Sequence, residues 1–221
     1  MTLAELRTAL TTAIGNPNGI SSTVLDDCIN RAYLKICDMF TFPQNTKRTT
    51  VSTIIGTRTY NLAANDTTVL GVWNKTYKYP LTKVDHHQVN DFDDQSTTSP
   101  RTGRPKKYYR AEGSIFIMPA PDAVYTLELV TKQKVAKLVN TSDAPVLYST
   151  WDDGIIMLAR WYYFDQYAMD YPKAQYAWGV WQSWLQTKPS EVHQESVDLE
   201  QGVSFMPSST TNNRGVDFDY D

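Results

Sequence analysis

Cysteine is scarce, with Cys28 and Cys37 the only two in 221 residues. They lie on one helical stretch, and at ~100° and ~1.5 Å per residue they fall on opposite faces, roughly 13 Å apart. A bridge needs Cα atoms closer than about 7 Å, so a disulfide scaffold is excluded. Two reduced core thiols fit a chain that folds in the cytoplasm. Long apolar runs are also missing. None approaches the ~18 residues that span a bilayer, so no membrane partner is expected, and no basic segment followed by an apolar one marks a signal peptide. The sequence has no phosphate-binding P-loop, no dinucleotide glycine fingerprint, no HExxH and no GxSxG. An enzyme is therefore not expected, nor is a cofactor or a metal. Cationic excess is absent too. The net charge is -3, which excludes a global polycation for nucleic acid.

What the chain has is aromatic surface. Of its 6 tryptophans, Trp151, Trp161, Trp178, Trp181 and Trp184 fall between Ser149 and Lys188. Ser149 and Thr150 are good helix caps, and Asp152 and Asp153 follow where the helix dipole favours negative charge. Ile155, Ile156, Leu158, Ala159, Tyr162, Tyr163, Gln166 and Tyr167 then recur at helical spacing. Tyr171-Pro172 breaks the run, and Pro172 can open a second helix. On that helix Ala174, Ala177, Val180, Trp181, Trp184 and Leu185 share a face. Tyr162, Tyr163, Phe164, Tyr167, Tyr171, Tyr176 and Trp178 cannot all point inward as well. Large rings left on a surface mark a partner site. The alternative is a tryptophan-rich core whose tyrosine hydroxyls reach water. The first helix reads as core, and both readings stay open for the second.

Toward the N-terminus, Thr2 and Glu5 have capping-box spacing for a helix over 2–14, with Leu3, Leu6, Leu10, Ala13 and Ile14 on one face and a stop at Gly15. A turn at Asn16-Pro17-Asn18-Gly19 leads to a helix from about Ser22 to Phe40. Its inner face is Leu25, Cys28, Ile29, Ala32, Ile36, Met39 and Phe40, with Asp26 and Asp27 expected in the first turn. After Lys47, short runs rich in Thr, Val, Tyr and Ile read as strands: 48–53, 57–62, 69–73, 76–81, 108–110, 114–118 and 124–130. Their short connections imply antiparallel pairing. A short helix capped by Asp85 is expected over 84–92, and an exposed loop over 93–105. The expected fold is α+β. A helical bundle of two N-terminal helices (1–46) and two C-terminal helices (141–188) carries an inserted antiparallel β domain (47–140) and an extended C-terminal arm (189–221). The arm holds Glu191, Glu195, Asp198, Glu200, Asp217, Asp219 and Asp221 against Arg214. Alone it should be disordered, and it could order on a partner.

Three constellations carry little chemistry. Asp85-His86-His87 offers metal ligands, but neighbouring side chains diverge. Asp91-Phe92-Asp93-Asp94 lacks the glycine and the bidentate glutamate of a calcium loop, having Ser96 and Thr102 in those places. Asp152 and Asp153 are explained by helix capping. The basic group Arg101, Arg104, Lys106, Lys107 and Arg110, interleaved with Tyr108 and Tyr109, could touch phosphates, although a solvated loop is the plainer reading. The candidate partner interface comprises Trp178, Trp181, Trp184, Phe205, Phe218 and Tyr220, with Asp217 and Asp219.

Three runs in order carry a resemblance: Cys28–Cys37 (CINRAYLKIC) followed by Phe42-Pro43; Gly103–Tyr109 (GRPKKYY), Ile115–Asp122 (IFIMPAPD) and Tyr125–Leu129 (YTLEL); and Ser142–Pro145 (SDAP) before Trp151 and a long helix. Together they resemble the head-to-tail adaptor proteins of tailed bacteriophages, over most of residues 1–188. The resemblance implies a non-catalytic virion protein of the neck, in a homo-oligomeric ring that matches a dodecameral portal above. A tail, nozzle or further connector protein would lie below it. A ring around DNA would give Arg101, Arg104, Lys106 and Lys107 a weak channel contact. The alternative is a carbohydrate- or partner-binding module of a phage tail. Sugar stacking would then use Trp73, Tyr77 and Tyr79.

Overall fold

In the computed structural model, residues 1–17, 19–85, 102–111 and 113–187 are described. Four α-helices flank ten short strands. None of the described helices is long and apolar enough to cross a membrane.

Helix α1 (Leu3–Ala13) begins with the expected capping box. Thr2 Oγ1 accepts from Glu5 N, and Glu5 Oε2 accepts from Thr2 N at 2.7 Å. Leu3, Leu6 and Leu10 are fully buried. Helix α2 (Ser22–Met39) is capped by Ser21 and buries Leu25, Cys28, Ile29, Ala32, Tyr33, Ile36 and Cys37. Both cysteine faces are interior because α2 packs against α1 and α3. Met39, expected inward, is exposed, and Tyr33 and Cys37 take the space instead. Asp26 and Asp27 lie beyond the first turn. Their partners are side chains: Asp26 accepts from Arg7 Nη2 at 2.7 Å, and Asp27 pairs with Arg31 at 2.7 Å.

A 3-10 turn at Pro43–Asn45 leads into β1 (Thr46–Ser52). The other strands are β2 (Thr59–Asn61), β3 (Asp66–Asn74), β4 (Tyr79–Pro80), β5 (Thr82–Lys83), β6 (Thr102–Gly103), β7 (Lys107–Ala111), β8 (Ser114–Met118), β9 (Ala120–Pro121) and β10 (Thr126–Gln133). They form two four-stranded sheets, β1-β10-β3-β4 and β2-β8-β7-β5, and a pair β6-β9. The inner sides of the two large sheets meet in one cluster. Val69, Val72, Leu127 and Leu129 from one sheet pack with Tyr60, Tyr108, Ile115 and Ile117 from the other.

The pairing corrects several expectations. The strands on either side of Gly56 are not a hairpin. β1 pairs with β10, and β2 with β8. The intervening loop closes on Tyr60, whose hydroxyl accepts from Ile54 N and donates to Thr57 O, each at 2.9 Å. That carries the chain from one sheet to the other. The hairpins β3-β4 and β7-β8 do form. Pairing is not antiparallel throughout, since β5-β7 and β6-β9 are parallel. β6 also makes Thr102 and Gly103, expected in a loop, part of a strand. Val84 and Asp85 are not helical; the rest of that expected helix, and the C-terminal arm, lie outside the described residues.

Ser149 and Thr150 do not cap a helix through their side chains. They form a 3-10 turn, Ser149–Trp151, that runs into α3 (Asp152–Tyr162). Asp152 and Asp153 stand in the first turn of α3 as expected. Asp152 is buried, and its Oδ2 accepts from the Met1 amino group at 2.6 Å. A π-helical turn, Tyr163–Tyr167, ends α3. α4 (Tyr171–Gln186) opens on Pro172 and is capped by Asp170, whose Oδ1 accepts from Lys173 N at 3.2 Å. The helices share one core, built from the leucines of α1, both faces of α2, Trp151, Ile155, Leu158 and Ala159 of the α3 segment, and Trp181. The segment after β10 is fixed onto α2 by Asn30, which accepts from Leu138 N at 2.8 Å and donates to Leu138 O at 3.0 Å.

Burial pushes the Cys28 and Cys37 thiols, and the Tyr33 hydroxyl, up to about 12. Because folding raises these values, stability is full below the ordinary thiol value of 9.0 and falls as pH climbs from there toward 12. A thiol reagent at pH 8 should modify neither cysteine in the native chain and both in urea. The urea midpoint should drop steadily above pH 9. Native reaction at either thiol would contradict the burial.

Candidate partner interface

Helix α4 divides its residues as its spacing predicts. Ala174, Ala177 and Trp181 are buried, Trp184 and Leu185 are half-buried against the core, and Val180 is half-buried. The three tryptophans offered as partner anchors therefore separate. Trp181, at 1% exposure, is core and is corrected as an interface residue. Trp184 stacks on it with centroids 5.4 Å apart and meets Trp151 edge-on at 5.4 Å. Trp178 leans on Trp161 at 4.9 Å and keeps 38% of its surface open.

Beyond Trp178, exposed apolar surface collects where α3 turns into α4. Tyr171 and Tyr176 are about two-thirds exposed, at 66% and 65%, and Tyr167 and Met169 are also open. The fold gives these rings little to do. The Tyr176 ring meets the Arg160 guanidinium, 5.7 Å from its centroid, and Arg160 sits equally far from Phe164. Tyr167 differs, because its hydroxyl donates to Asp27 at 2.6 Å and ties the turn to α2. The Lys173 ammonium holds the Asp170 carboxyl below its usual range, so the cap of α4 stays charged well into acid. The turn, tied down by Tyr167 and the Asp170 cap, is thus a platform with aromatic groups outward, the composition found at the centre of protein interfaces.

The sheets carry a second open patch. Ile54, Ile55 and Val124 are exposed together, since Thr53 N donates to Tyr125 O at 2.8 Å and Gly56 N to Pro121 O at 2.8 Å, joining their two loops. Of the rings proposed for sugar stacking, Trp73 is open, but Tyr77 lies between Tyr125 at 5.8 Å and the Arg104 guanidinium at 4.3 Å. Tyr79 packs on the β core and donates its hydroxyl to Pro105 O at 2.6 Å. The three do not form one free platform.

Arg104 and Lys106 are exposed, Lys107 is half-buried, and Arg110 reaches back to the carbonyls of Thr67 and Asp66. Arg101, His86, His87, Asp91, Asp93, Asp94, Phe205, Asp217, Phe218, Asp219 and Tyr220 lie outside the described residues.

The larger electrostatic feature is segregation. Residues 46–137 hold 14 of the 21 Lys and Arg but 8 of the 24 Asp and Glu. That segment is therefore net positive by 6, and the rest of the chain net negative by 9. Summing over the whole chain hides this imbalance along the sequence, which window-by-window counting would have found.

A family model described as SU10 adaptor protein matches residues 1–183. No curated protein matches the chain.

Proposed function

The chain belongs to the SU10 adaptor protein family of phage structural proteins, and from that premise we infer that it is a head-to-tail adaptor of the virion neck. Copies form a ring beneath the portal, twelve by symmetry with it, and join the portal to a tail, nozzle or further connector protein. Subunits fold in the host cytoplasm and assemble there. Two N-terminal and two C-terminal helices act as a bundle, with the sheets as an inserted domain and the residues after 188 as a docking arm. The family is structural, not enzymatic, and the chain needs no cofactor for this role. Within the ring, Arg101, Arg104, Lys106 and Lys107 contact packaged DNA weakly.

The observation that carries this reading is the aromatic platform at the α3–α4 turn. A monomer gains nothing from leaving Tyr171 and Tyr176 in water, whereas a ring subunit needs side-to-side and end-to-end contacts, and a head-to-tail contact closed by rotation makes a ring. Replacing both tyrosines by serine should leave the unfolding free energy within about 0.5 kcal/mol of the parent, as for other surface changes. It should weaken association with copies or with portal by about tenfold or more. The particle mass on mixing with portal reads this directly. Unchanged assembly by the double variant would remove the platform from the contact.

A further inference from the structure

β1 is the outer strand of its sheet and the longest edge in the β region. It has 7 residues, where the other edges of the two four-stranded sheets, β4, β2 and β5, have 2, 3 and 2. All seven residues pair with β10 in unbroken register, Thr46 with Lys132 through Ser52 with Thr126. The far side of β1 pairs with no other described strand. An edge of this kind presents a row of free N–H and C=O groups. Such edges are usually shortened, bulged, interrupted by proline or guarded by charged side chains. Thr46–Ser52 has only the last, Lys47 and Arg48, charges that an acidic strand would complement.

The inner side of β1 is uncovered over Lys47 and Thr49, while Val51 packs on the β core. Opposed residues of an antiparallel pair point to the same side of a sheet. Lys47 opposes Thr131 and Thr49 opposes Leu129. Thr131 and Leu129 are buried, yet Lys47 and Thr49 are exposed. The sandwich therefore lacks a described neighbour along this edge, and a cover over its Lys47–Thr49 part. Lys47 also lines a groove of about 600 Å³ with Lys134 and Lys137. None of these three lysines forms an ion pair among the described residues. On the outer side, Arg48 reaches Glu128 only at 3.6 Å, while Lys75 holds that carboxylate at 2.6 Å.

The chain itself contains a segment of matching pattern. Val216-Asp217-Phe218-Asp219-Tyr220-Asp221 alternates strictly between a strand-forming apolar residue and an aspartate. One side of that strand would be Val216, Phe218 and Tyr220, and the other three carboxylates. The segment lies beyond the residues the family model matches. Its acidity complements the positive segment 46–137.

We propose that Val216–Asp221 of the same chain adds to β1 as a fifth strand, with its apolar row beside Thr49 and Val51 and its aspartates beside Arg48. This is β-strand addition, in which main-chain bonds give affinity and alternate side chains give specificity. The same chain is favoured because of where α4 ends. Trp184 lies on Trp151, and Trp151 lies on Phe42 at 4.9 Å, four residues before β1. Residues 188–215 can span up to roughly 95 Å, so reach is no obstacle, and tethering supplies an effective concentration on the order of millimolar. In the free subunit the added strand keeps the β1 edge from pairing with other copies.

Hydrogen–deuterium exchange on the full-length chain tests this. The peptide covering Thr46–Ser52 should exchange about as slowly as β10. It should speed up by about tenfold or more in the full-length variant D217K/D219K/D221K and in V216S/F218S/Y220S, with β10 and β3 unchanged. Equal exchange in parent and variants overturns the proposal, as does protection that appears only when DNA is added. Oxidising the T50C/D219C variant should give a crosslinked band at monomer mass. A ladder of crosslinked copies would overturn the same-chain assignment. Portal binding is not read in either measurement, so this proposal and the adaptor reading stand or fall separately.

Discussion

Replacing Trp151 by alanine should cost about 3–5 kcal/mol of stability, the range for emptying a buried aromatic site. Trp151 is 2% exposed and is the meeting point of four segments. It meets Phe40 at 5.3 Å and Phe42 at 4.9 Å, where α2 gives way to β1, and Trp184 of α4 at 5.4 Å, while its own backbone leads into α3. Those rings are held by separate backbones, so they cannot all collapse into the space. A domain of this size loses about 2–4 °C of Tm per kcal/mol, so the melting temperature should fall by roughly 10 °C or more. Urea unfolding of W151A beside W178A makes the comparison internal. Trp178 is over a third exposed, and its loss should be much the smaller. Equal losses would mean that the junction can repack.

Gly154→Ala is expected to destabilise, against the rule for glycine in a helix. Alanine should stabilise a helix interior by about 1 kcal/mol over glycine. At Gly154, however, a Cβ would stand 2.4 Å from Cη2 and 2.5 Å from Cζ3 of Trp184. That ring is held between Trp181 and Trp151, so it cannot swing away cheaply. Overpacking of this kind costs about 1–3 kcal/mol, and more where neighbours are fixed, so the clash should exceed the helix gain. The sign should reverse once the obstacle is gone. In a Trp184→Leu background, G154A should be neutral or stabilising by about 1 kcal/mol. A double-mutant cycle from urea midpoints gives the coupling directly. Additive effects would mean that the glycine is not there to admit the ring.

Much of the helical architecture was legible. Local rules set it: Thr2 and Glu5 close a capping box within one turn, and the inner face of α4 follows from the spacing of Ala174, Ala177, Trp181 and Trp184. Strand existence was legible for the same reason, because alternation and turn residues act over a few positions. Strand partnership was not. β1 and β2 are neighbours in sequence but belong to different sheets, since the loop between them closes on the Tyr60 hydroxyl rather than in a tight turn. β10 lies between β1 and β3, and nothing within either stretch encodes that register.

The candidate site divides the same way. Composition pointed to surplus rings in the helical pair, but periodicity treats all rings on one face alike. It could not separate Trp181, enclosed by the core, from Trp178 at its margin, and it left Tyr171 and Tyr176 as two names among many.

By itself the sequence determined the four helices and most of the longer strands, the segregation of charge between the β segment and the rest, and the lack of the P-loop, dinucleotide, HExxH and GxSxG motifs. Each is a property of composition or of spacing within a few residues. Only the tertiary structure decided which strands meet, which edge is left open, and which rings face water. Those outcomes depend on contacts between residues more than a hundred positions apart, such as Asn30 with Leu138 and Phe42 with Trp151, and burial is fixed by what the rest of the chain places opposite a side chain.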